Sequence, residues 1–156
     1  MRNRKIIVTG PFGAPIEESA RKLAAAAGLE YKSLDEEITK RDGRSIKRLV
    51  MMNGEHGYRN QEYEVLQELN ESPDGCVIAC GDGVLYDEDS RKIALENELV
   101  LVGLDETTDA LWENAKAIGD SYHAFMSFGT EEEKRAAFEQ LIQRQRNLFD
   151  TIGGKI

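Results

Sequence analysis

Charged residues and glycines stand directly after three short apolar stretches of the sequence, where residues that do chemistry are expected. Gly10 and Gly13 follow the first stretch, Asp35 follows the second, and Gly81 and Gly83 follow the third. Carboxylates accept hydrogen bonds and protons, and glycines let a ligand approach the backbone closely. These residues are therefore candidates for one small-molecule site, provided that the fold brings the three stretches together.

Arg59 and Glu62 are further candidates, three residues apart within a predicted helix. Residues at this spacing share a helix face, so the pair either belongs to the site or forms an ion pair on the solvent side. Asp35 likewise either serves the site or caps the helix that follows it. Gly81 and Gly83 either approach a ligand or serve a turn alone.

Alternating strand and helix signals predict the elements that must position these residues. Strands are predicted at residues 5–9, 29–33, 76–80 and 99–104. Helices are predicted at about 16–27, 35–41, 45–50, 58–70, 89–97, 107–117 and 131–150. Strands that alternate with helices form a mostly parallel sheet covered on both faces, with ligands beyond the carboxyl ends of the strands. We therefore expect one α/β domain over residues 1–156, in three layers, with a four-stranded sheet.

The overall composition excludes several classes of function. The formal net charge is −9 and the sequence pI is about 4.8, so no basic surface is expected to neutralise nucleic-acid phosphates. No apolar run approaches the length that crosses a bilayer, and the N-terminus lacks the pattern of a signal peptide. We expect a cytoplasmic protein that binds neither nucleic acid nor membranes.

Neither a disulfide nor a metal site is expected. Cys76 and Cys80 share a face of one predicted strand but stand roughly 13 Å apart, beyond the reach of a disulfide or a shared metal. His56 and His123 have no partners at the spacing of metal ligands. The cysteines are therefore expected to be buried and reduced, and the histidines to have surface or core roles.

Several fragments, in their order and spacing, resemble the motifs of shikimate kinases over residues 4–150. The fragments are Gly10-Pro-Phe-Gly-Ala, Leu34-Asp35-Glu-Glu-Ile38, Tyr58-Arg59 with Glu62, and Cys80-Gly-Asp-Gly83. The family runs G-x-x-G-x-G-K-[ST], then D-x-D-x-x-I, then F-R-x-x-E, and then a triple-glycine turn. The resemblance implies a P-loop fold of the nucleoside-monophosphate-kinase type. It also implies transfer of the γ-phosphoryl group of ATP, with Mg²⁺, to a hydroxyl of shikimate.

The resemblance implies roles for residues on the side that binds the acceptor substrate. Asp35 matches the aspartate that binds the acceptor hydroxyl and can deprotonate it. Arg59 matches the arginine that binds the substrate carboxylate, and Glu62 matches the acid that orients this arginine.

Two departures weaken the acceptor side. Asp82 replaces the middle glycine between Gly81 and Gly83, which adds a negative charge where an anionic acid would bind. Gln145 falls near a second carboxylate-binding arginine of the family, and its position seven residues after Phe138 predicts a neutral hydrogen bonder that points into the pocket. Shikimate itself is therefore expected to bind weakly.

The nucleotide side departs further from the family pattern. Gly10 and Gly13 remain of the phosphate loop, but Pro15, Ile16 and Glu17 occupy the positions of Gly, Lys and Ser/Thr. Pro15 offers no N–H donor, Ile16 offers no cation, and Glu17 is a carboxylate where triphosphate would lie. Two such charges ~4 Å apart interact by about 4 kcal/mol at an effective dielectric of about 20, which would remove most nucleotide affinity.

Two further positions that would bind metal or phosphate are lost. Ser33 stands where the first aspartate of D-x-D would help to order Mg²⁺, and the lid-like loop at residues 118–130 contains no Arg or Lys. Phosphoryl transfer depends on positioned cations. We therefore expect no cofactor and no metal.

These observations favour a catalytically inactive protein of the shikimate-kinase type. It would keep part of the acceptor pocket as a binding or regulatory module for a shikimate-like small molecule. An alternative is a divergent kinase that uses ATP and Mg²⁺ through another phosphate grip, with Asp35 as the catalytic residue. A third is a partner-binding subunit that uses no small ligand.

The resemblance implies a fifth strand that would begin where this sequence ends, so the sequence either is a fragment of a longer chain or leaves the strand predicted at residues 99–104 without an outer neighbour. An open strand edge offers unpaired backbone groups to another chain. We expect this edge to pair in a homodimer or to be shielded by the C-terminal tail.

Overall fold

Four parallel strands form a sheet in the computed structural model, which describes residues 4–153. Strands β1 (Lys5–Thr9) and β3 (Cys76–Ala79) are central, and β2 (Glu30–Ser33) and β4 (Glu98–Leu101) lie at the edges, in the order β2-β3-β1-β4. Each pairing is parallel. The prediction of an α/β fold with a four-stranded parallel sheet is confirmed. Because the strands run in one direction, the candidate residues that follow them lie at one edge of the sheet.

The side chains of the central strands alternate between two buried layers. Ile7 and Ile78 belong to a cluster on one face of the sheet, whereas Ile6, Val8 and Val77 belong to a cluster on the other face. Both strands are buried along their full length, as expected for apolar strands that are covered on both faces. The structure therefore has the predicted three layers.

Helices cover both faces of this sheet. The α-helices of the described residues are α1 (Ile16–Ala27), α2 (Leu34–Asp42), α3 (Ile46–Glu71), α4 (Glu88–Leu95), α5 (Thr108–Lys116) and α6 (Glu131–Gly153). Helix α1 packs on one face through Ala20 and Ala24, and helices α2, α3 and α4 contribute to the cluster on the other face. Short 3₁₀ turns lie at Val84–Tyr86 and Ala124–Ser127.

Serine side chains cap the N-termini of α2 and α3, the two helices that contain Asp35, Arg59 and Glu62. Ser33 Oγ accepts a hydrogen bond from the backbone N–H of Glu36 at 3.3 Å, and Ser45 Oγ accepts one from Arg48 at 3.2 Å. Each serine is therefore the N-cap of its helix. Asp35 lies inside the first turn of α2, so the interpretation of Asp35 as a cap is wrong.

Several predicted boundaries differ from the structure. The two helices predicted at 45–50 and 58–70 are present but longer, and they meet within α3 at a kink at Gly54, where φ is +76° and ψ is 171°. The strand predicted at 99–104 ends at Leu101, and the chain then turns at Gly103, where φ is +75°. The loop at 118–130, for which no regular structure was predicted, contains the second 3₁₀ turn.

The predictions for the cysteines, for membrane spans and for a homodimer are tested to different extents by the structure. Cys76 and Cys80 are buried and free, as predicted. Within residues 4–153, no helix combines the length and the apolar character that a membrane-spanning segment requires. The homodimer through β4 and the cytoplasmic location stay predictions, and the last residues of the tail, 154–156, lie outside the described range.

Candidate functional site

A cleft of about 1010 Å³ opens at the carboxyl ends of the strands. Its walls are the turn after β1 with the start of α1, the first turn of α2, the turn after β3, and the loop before the second 3₁₀ turn. Asp35 and Gly81 line it, as predicted for site residues. We call this space the cleft.

Asp35 is the predicted site residue best placed for chemistry on a ligand in the cleft. Its Oδ1 accepts a hydrogen bond from the Tyr58 hydroxyl at 2.7 Å. Burial raises the pKa of Asp35 from 3.8 to about 6, which the Tyr58 hydrogen bond partly opposes and the charges of Asp82, Glu17 and Asp120 reinforce. A carboxyl group with this pKa can accept a proton from a ligand hydroxyl near neutral pH.

Arg59 and Glu62 form a buried ion pair behind the wall of the cleft. Arg59 Nη1 donates to Glu62 Oε1 at 2.8 Å, and the two residues are 9% and 0% exposed. Burial raises the pKa of Glu62 to about 7, although the charge and hydrogen bond of Arg59 oppose this rise. The alternative of an ion pair on the solvent side is therefore wrong.

Aromatic rings cover the Arg59 guanidinium. Its Cζ lies 4.5 Å from the centre of the Tyr122 ring and 5.3 Å from the centre of the Tyr58 ring, and these two rings stack at 5.1 Å. A Cβ on Gly83 would clash with Arg59 and with the Tyr122 hydroxyl, so the turn after β3 also presses against the guanidinium. Arg59 is absent from the residues that line the cleft among those described.

Asp82 accepts hydrogen bonds from side chains of two distant segments. Its Oδ2 accepts from Gln145 Nε2 at 2.7 Å and from the Tyr122 hydroxyl at 3.2 Å, and it lies 2.7 Å from His123 Nε2. Burial acts to raise the pKa of Asp82, but the charge and hydrogen bond of His123, with the hydrogen bond of Gln145, lower it below the ordinary value. The carboxylate form of this buried side chain is therefore stabilised.

His123 was missed by the sequence analysis, which assigned it a general surface or core role. It is 9% exposed and also packs against Phe12, with ring centres 4.3 Å apart. Its partner Asp82 is 41 residues away in the sequence, so ligand-type spacing could not reveal the contact. The replacement of a family glycine by Asp82 was the available signal that this region had changed.

Gln145 joins Asp82 to the turn after β1. It is 0% exposed, and its Oε1 accepts a hydrogen bond from the backbone N–H of Phe12 at 2.8 Å. Gln145 was predicted to point into the pocket as a hydrogen bonder. It does form hydrogen bonds inward, but both of them are to the protein, and its side chain lies behind the cleft wall.

The turn after β1 is bonded internally and packed closely. The Ala14 N–H donates to the Pro11 carbonyl at 2.9 Å, and the Ile16 N–H donates to the Ala14 carbonyl at 2.8 Å. Gly13 has a φ of +98°, and a Cβ there would clash with the Leu111 carbonyl. The turn therefore has its own fixed conformation between β1 and α5.

Gly10, like Gly13, packs closely against a backbone carbonyl group. A Cβ on Gly10 would clash with the carbonyl oxygen of Val102, just after β4. Both glycines predicted as phosphate-loop remnants thus serve close packing of the turn.

The charges on the cleft wall are mostly negative. Glu17, at the start of α1, accepts a hydrogen bond from Ser33 Oγ at 3.2 Å, so the side chain crosses toward α2. Arg21 and Lys40 also line the cleft. The carboxylates that line it are Glu17, Glu18, Asp35, Glu36, Asp82 and Asp120. Among residues 4–153, no group of three or more His, Cys, Asp or Glu side chains is arranged to hold a metal ion.

The structure thus divides the predicted site residues into two sets. Asp35, Gly81 and Gly13 line the cleft. The other predicted residues lie outside its wall, namely Gly10, Arg59, Glu62, Gly83 and Gln145.

Comparison with known proteins identifies the family. Residues 18–153 match the family model described as shikimate kinase, a range that begins after the turn. A shikimate kinase of Marinomonas sp. (strain MWYL1) is 33% identical over 94% of this chain and 78% of its own length. Shikimate kinase 1 of Salmonella newport (strain SL254) is 30% identical over 96% of this chain and 83% of its own length.

Solved structures agree in fold. Shikimate kinase from Acinetobacter baumannii, in complex with shikimate, superposes with a TM-score of 0.75 at 23% identity, covering 92% of this chain and 78% of that one. Shikimate kinase from Bacteroides thetaiotaomicron gives a TM-score of 0.77 at 21% identity, with 91% and 79% covered. From the matched sequence range, its order of motifs and this fold, the chain belongs to the shikimate kinase family.

Proposed function

We propose that this chain binds a small hydroxylated molecule in the cleft and does not transfer a phosphoryl group from ATP. The main support for this proposal is that backbone N–H groups of the turn after β1 donate hydrogen bonds within the protein. The backbone N–H groups of Phe12, Ala14 and Ile16 donate to Gln145, Pro11 and Ala14, and Pro15 has no N–H group. A phosphate loop depends on backbone donors that face the ligand, so this turn does not suit a triphosphate.

The charges at the turn support the same conclusion. Glu17 and Glu18 occupy the first turn of α1, where they interact favourably with the positive end of the helix. A triphosphate placed at this helix start would meet two carboxylates. The residues present therefore do not fit a nucleotide with Mg²⁺.

The opposite wall suits a hydroxylated ligand. Asp35 and Gly81 line the cleft, and the Tyr58 hydroxyl that donates to Asp35 lies behind them, so close to Gly81 that a Cβ there would approach it to 3.1 Å. The structural neighbour from Acinetobacter baumannii is a complex with shikimate, which makes shikimate and related hydroxylated compounds the first ligands to test.

A divergent kinase is the second candidate, and the state of Asp35 favours it. A carboxyl group with its pKa raised to about 6 is suited to accept the proton of an attacking hydroxyl. Arg21 and Lys40 line the cleft and could bind a phosphoryl donor. In this reading Asp35 is the catalytic base, and the donor lies on the α1 and α2 side of the cleft.

A product assay combined with calorimetry separates the two candidates. Wild type, Glu17→Lys and Asp35→Asn are incubated with shikimate and each of ATP, GTP and pyrophosphate, with Mg²⁺, and shikimate 3-phosphate is measured by mass spectrometry. We expect no product from wild type, and no heat on titration with a nucleotide. Titration with a hydroxylated ligand, from a panel of shikimate, its methyl ester and quinate, is expected to release heat.

Two results of these experiments would contradict the proposal. Product formed by wild type and lost in Asp35→Asn would overturn the proposal and establish the divergent kinase. If no member of the panel binds, the small-molecule part of the proposal fails, and the partner-binding reading takes its place.

A further inference from the structure

Three hydrogen-bonding groups converge on one oxygen of Asp82. The Gln145 amide and the His123 ring nitrogen each lie 2.7 Å from Oδ2, and the Tyr122 hydroxyl lies 3.2 Å from it. They come from α6 and from the loop before the second 3₁₀ turn. We call these three groups the carboxylate cradle. Hydrogen bonds of this kind offset the free-energy cost of removing a carboxylate from water.

The carboxylate cradle lies at the wall of the cleft, with Gln145 and His123 behind the residues that line it. Asp82 and Tyr122 both contribute to the cleft wall. The positive charge of Arg59 lies close enough to help lower the pKa of Asp82. The cradle therefore combines directed donors with a nearby cation, as a site for a ligand carboxylate would.

We propose that Asp82 is the specificity-determining residue of the cleft. Its carboxylate fills the cradle that would otherwise receive a carboxylate of the ligand. The cleft consequently accepts hydroxylated ligands without a carboxylate and rejects their anionic counterparts. This inference rests on the proposed function, in which the cleft binds a small hydroxylated molecule.

The geometry of the turn after β3 explains why position 82 can play this role. Gly81 and Gly83 flank Asp82, and a side chain at Gly83 would clash with Arg59 and Tyr122. The backbone therefore passes close to the cradle, and a two-carbon acidic side chain is long enough to reach it. A ligand carboxylate in the same place would displace Asp82 from all three of its partners.

Electrostatics also disfavours a second anion beside the cradle. The charge of Arg59 is already paired with Glu62 at 2.8 Å and with Glu55 at 3.3 Å. Glu17 and Asp120 add negative charge along the wall. A ligand carboxylate in the cleft is therefore repelled by these carboxylates and finds the Arg59 cation already paired. We expect its affinity to be at least about tenfold lower than that of the same ligand without the charge.

The first test compares two ligands that differ in one charge. Shikimate and its methyl ester are titrated by calorimetry into wild type, Asp82→Asn and Asp82→Gly. Wild type is expected to bind the ester at least about tenfold more tightly than the acid. Asp82→Gly is expected to reverse this preference, and Asp82→Asn, which keeps the shape but not the charge, is expected to reduce it.

The second test asks whether the cradle binds an external carboxylate when Asp82 is removed. Thermal unfolding of Asp82→Gly is followed in sodium acetate and in sodium chloride at equal ionic strength. We expect acetate at about 0.1 M to raise the Tm by about 3 °C relative to chloride, saturably. Wild type and Asp105→Gly, the same change at an exposed aspartate, should show no such difference.

The outcomes separate this inference from the proposed function. Equal binding of acid and ester by wild type, unchanged in the Asp82 variants, would overturn the specificity assignment and leave the proposed function standing. Failure of both ligands in every variant, with acetate still stabilising Asp82→Gly, would overturn the proposed function and support the cradle. If Asp82→Gly does not fold, an unchanged preference in Asp82→Asn overturns the assignment.

Discussion

The two walls of the cleft differ in where their polar groups are directed. On the turn after β1, the N–H groups of Phe12, Ala14 and Ile16 are bonded within the protein. On the opposite wall, Asp35 keeps one hydrogen bond, from Tyr58, and faces the cleft with a raised pKa. These N–H groups of the first wall are therefore used in bonds within the protein, whereas the carboxyl group on the second wall lines the cleft.

The glycines of the first wall have a role in packing that their presence in the sequence does not reveal. Gly10 and Gly13 are present, yet a side chain on either would clash with a neighbouring carbonyl, of Val102 or Leu111. The function of such a turn depends on the direction of its backbone donors, because these donors are what bind phosphate. Gln145 takes one of them, which ties the turn to the buried Asp82.

Replacing Gln145 is expected to destabilise the protein most, because this residue connects the turn after β1 to Asp82. Gln145→Leu removes two buried hydrogen bonds, leaving the Phe12 N–H without an acceptor and the Asp82 carboxylate without one of its donors. We expect a loss of about 3–4 kcal/mol in the free energy of unfolding, measured by urea denaturation. Gln143→Leu, on the exposed side of the same helix, should change it by less than about 0.5 kcal/mol. A loss below about 1 kcal/mol in Gln145→Leu would show that the turn is not held by this contact.

The next effect tests whether the turn is fixed against α5. Gly13→Ala places a side chain at φ +98° against the Leu111 carbonyl, so we expect a loss of about 3 kcal/mol in unfolding free energy. The matched control is Gly28→Ala, at φ +69° with no atom within 4 Å of the new Cβ, which should lose only about 1 kcal/mol. Equal losses in the two variants would mean that the turn is free to move, as an open phosphate loop would be.

The smallest effect concerns the opposite wall and depends on pH. Burial raises the pKa of Asp35 from 3.8 to about 6, so this group favours the folded state most at low pH. Its contribution is lost as the pH rises through about 6, because the carboxyl group must then ionise in its buried position. Relative to wild type, Asp35→Asn should therefore gain about 2 kcal/mol of stability between pH 4 and pH 7. Parallel stability curves over this range would show that Asp35 is solvated like an ordinary surface carboxylate.

Much of the fold could be predicted from the sequence because it depends on local patterns. The apolar runs of β1 and β3, and the alternation of strands with helices, predicted the parallel sheet and placed Asp35 and Gly81 at the edge where the cleft lies. The boundaries at Gly54 and Gly103 could not be predicted as reliably, since Gly54 separates two helices by a kink with no loop between them, and Gly103 turns the chain only after β4 has ended.

The amino-acid sequence alone was enough to predict the shikimate kinase family and the α/β class of fold, because both depend on motif order and local apolar patterns. It could not determine which side chains share a buried space. Asp82 contacts Gln145 over a separation of 63 residues and His123 over 41, and only packing brings these segments together. Tertiary packing also set the directions of the pKa shifts. Loss of water raises the pKa of Asp35, whereas at Asp82 the charge and hydrogen bond of His123, with the hydrogen bond of Gln145, outweigh burial and lower the pKa.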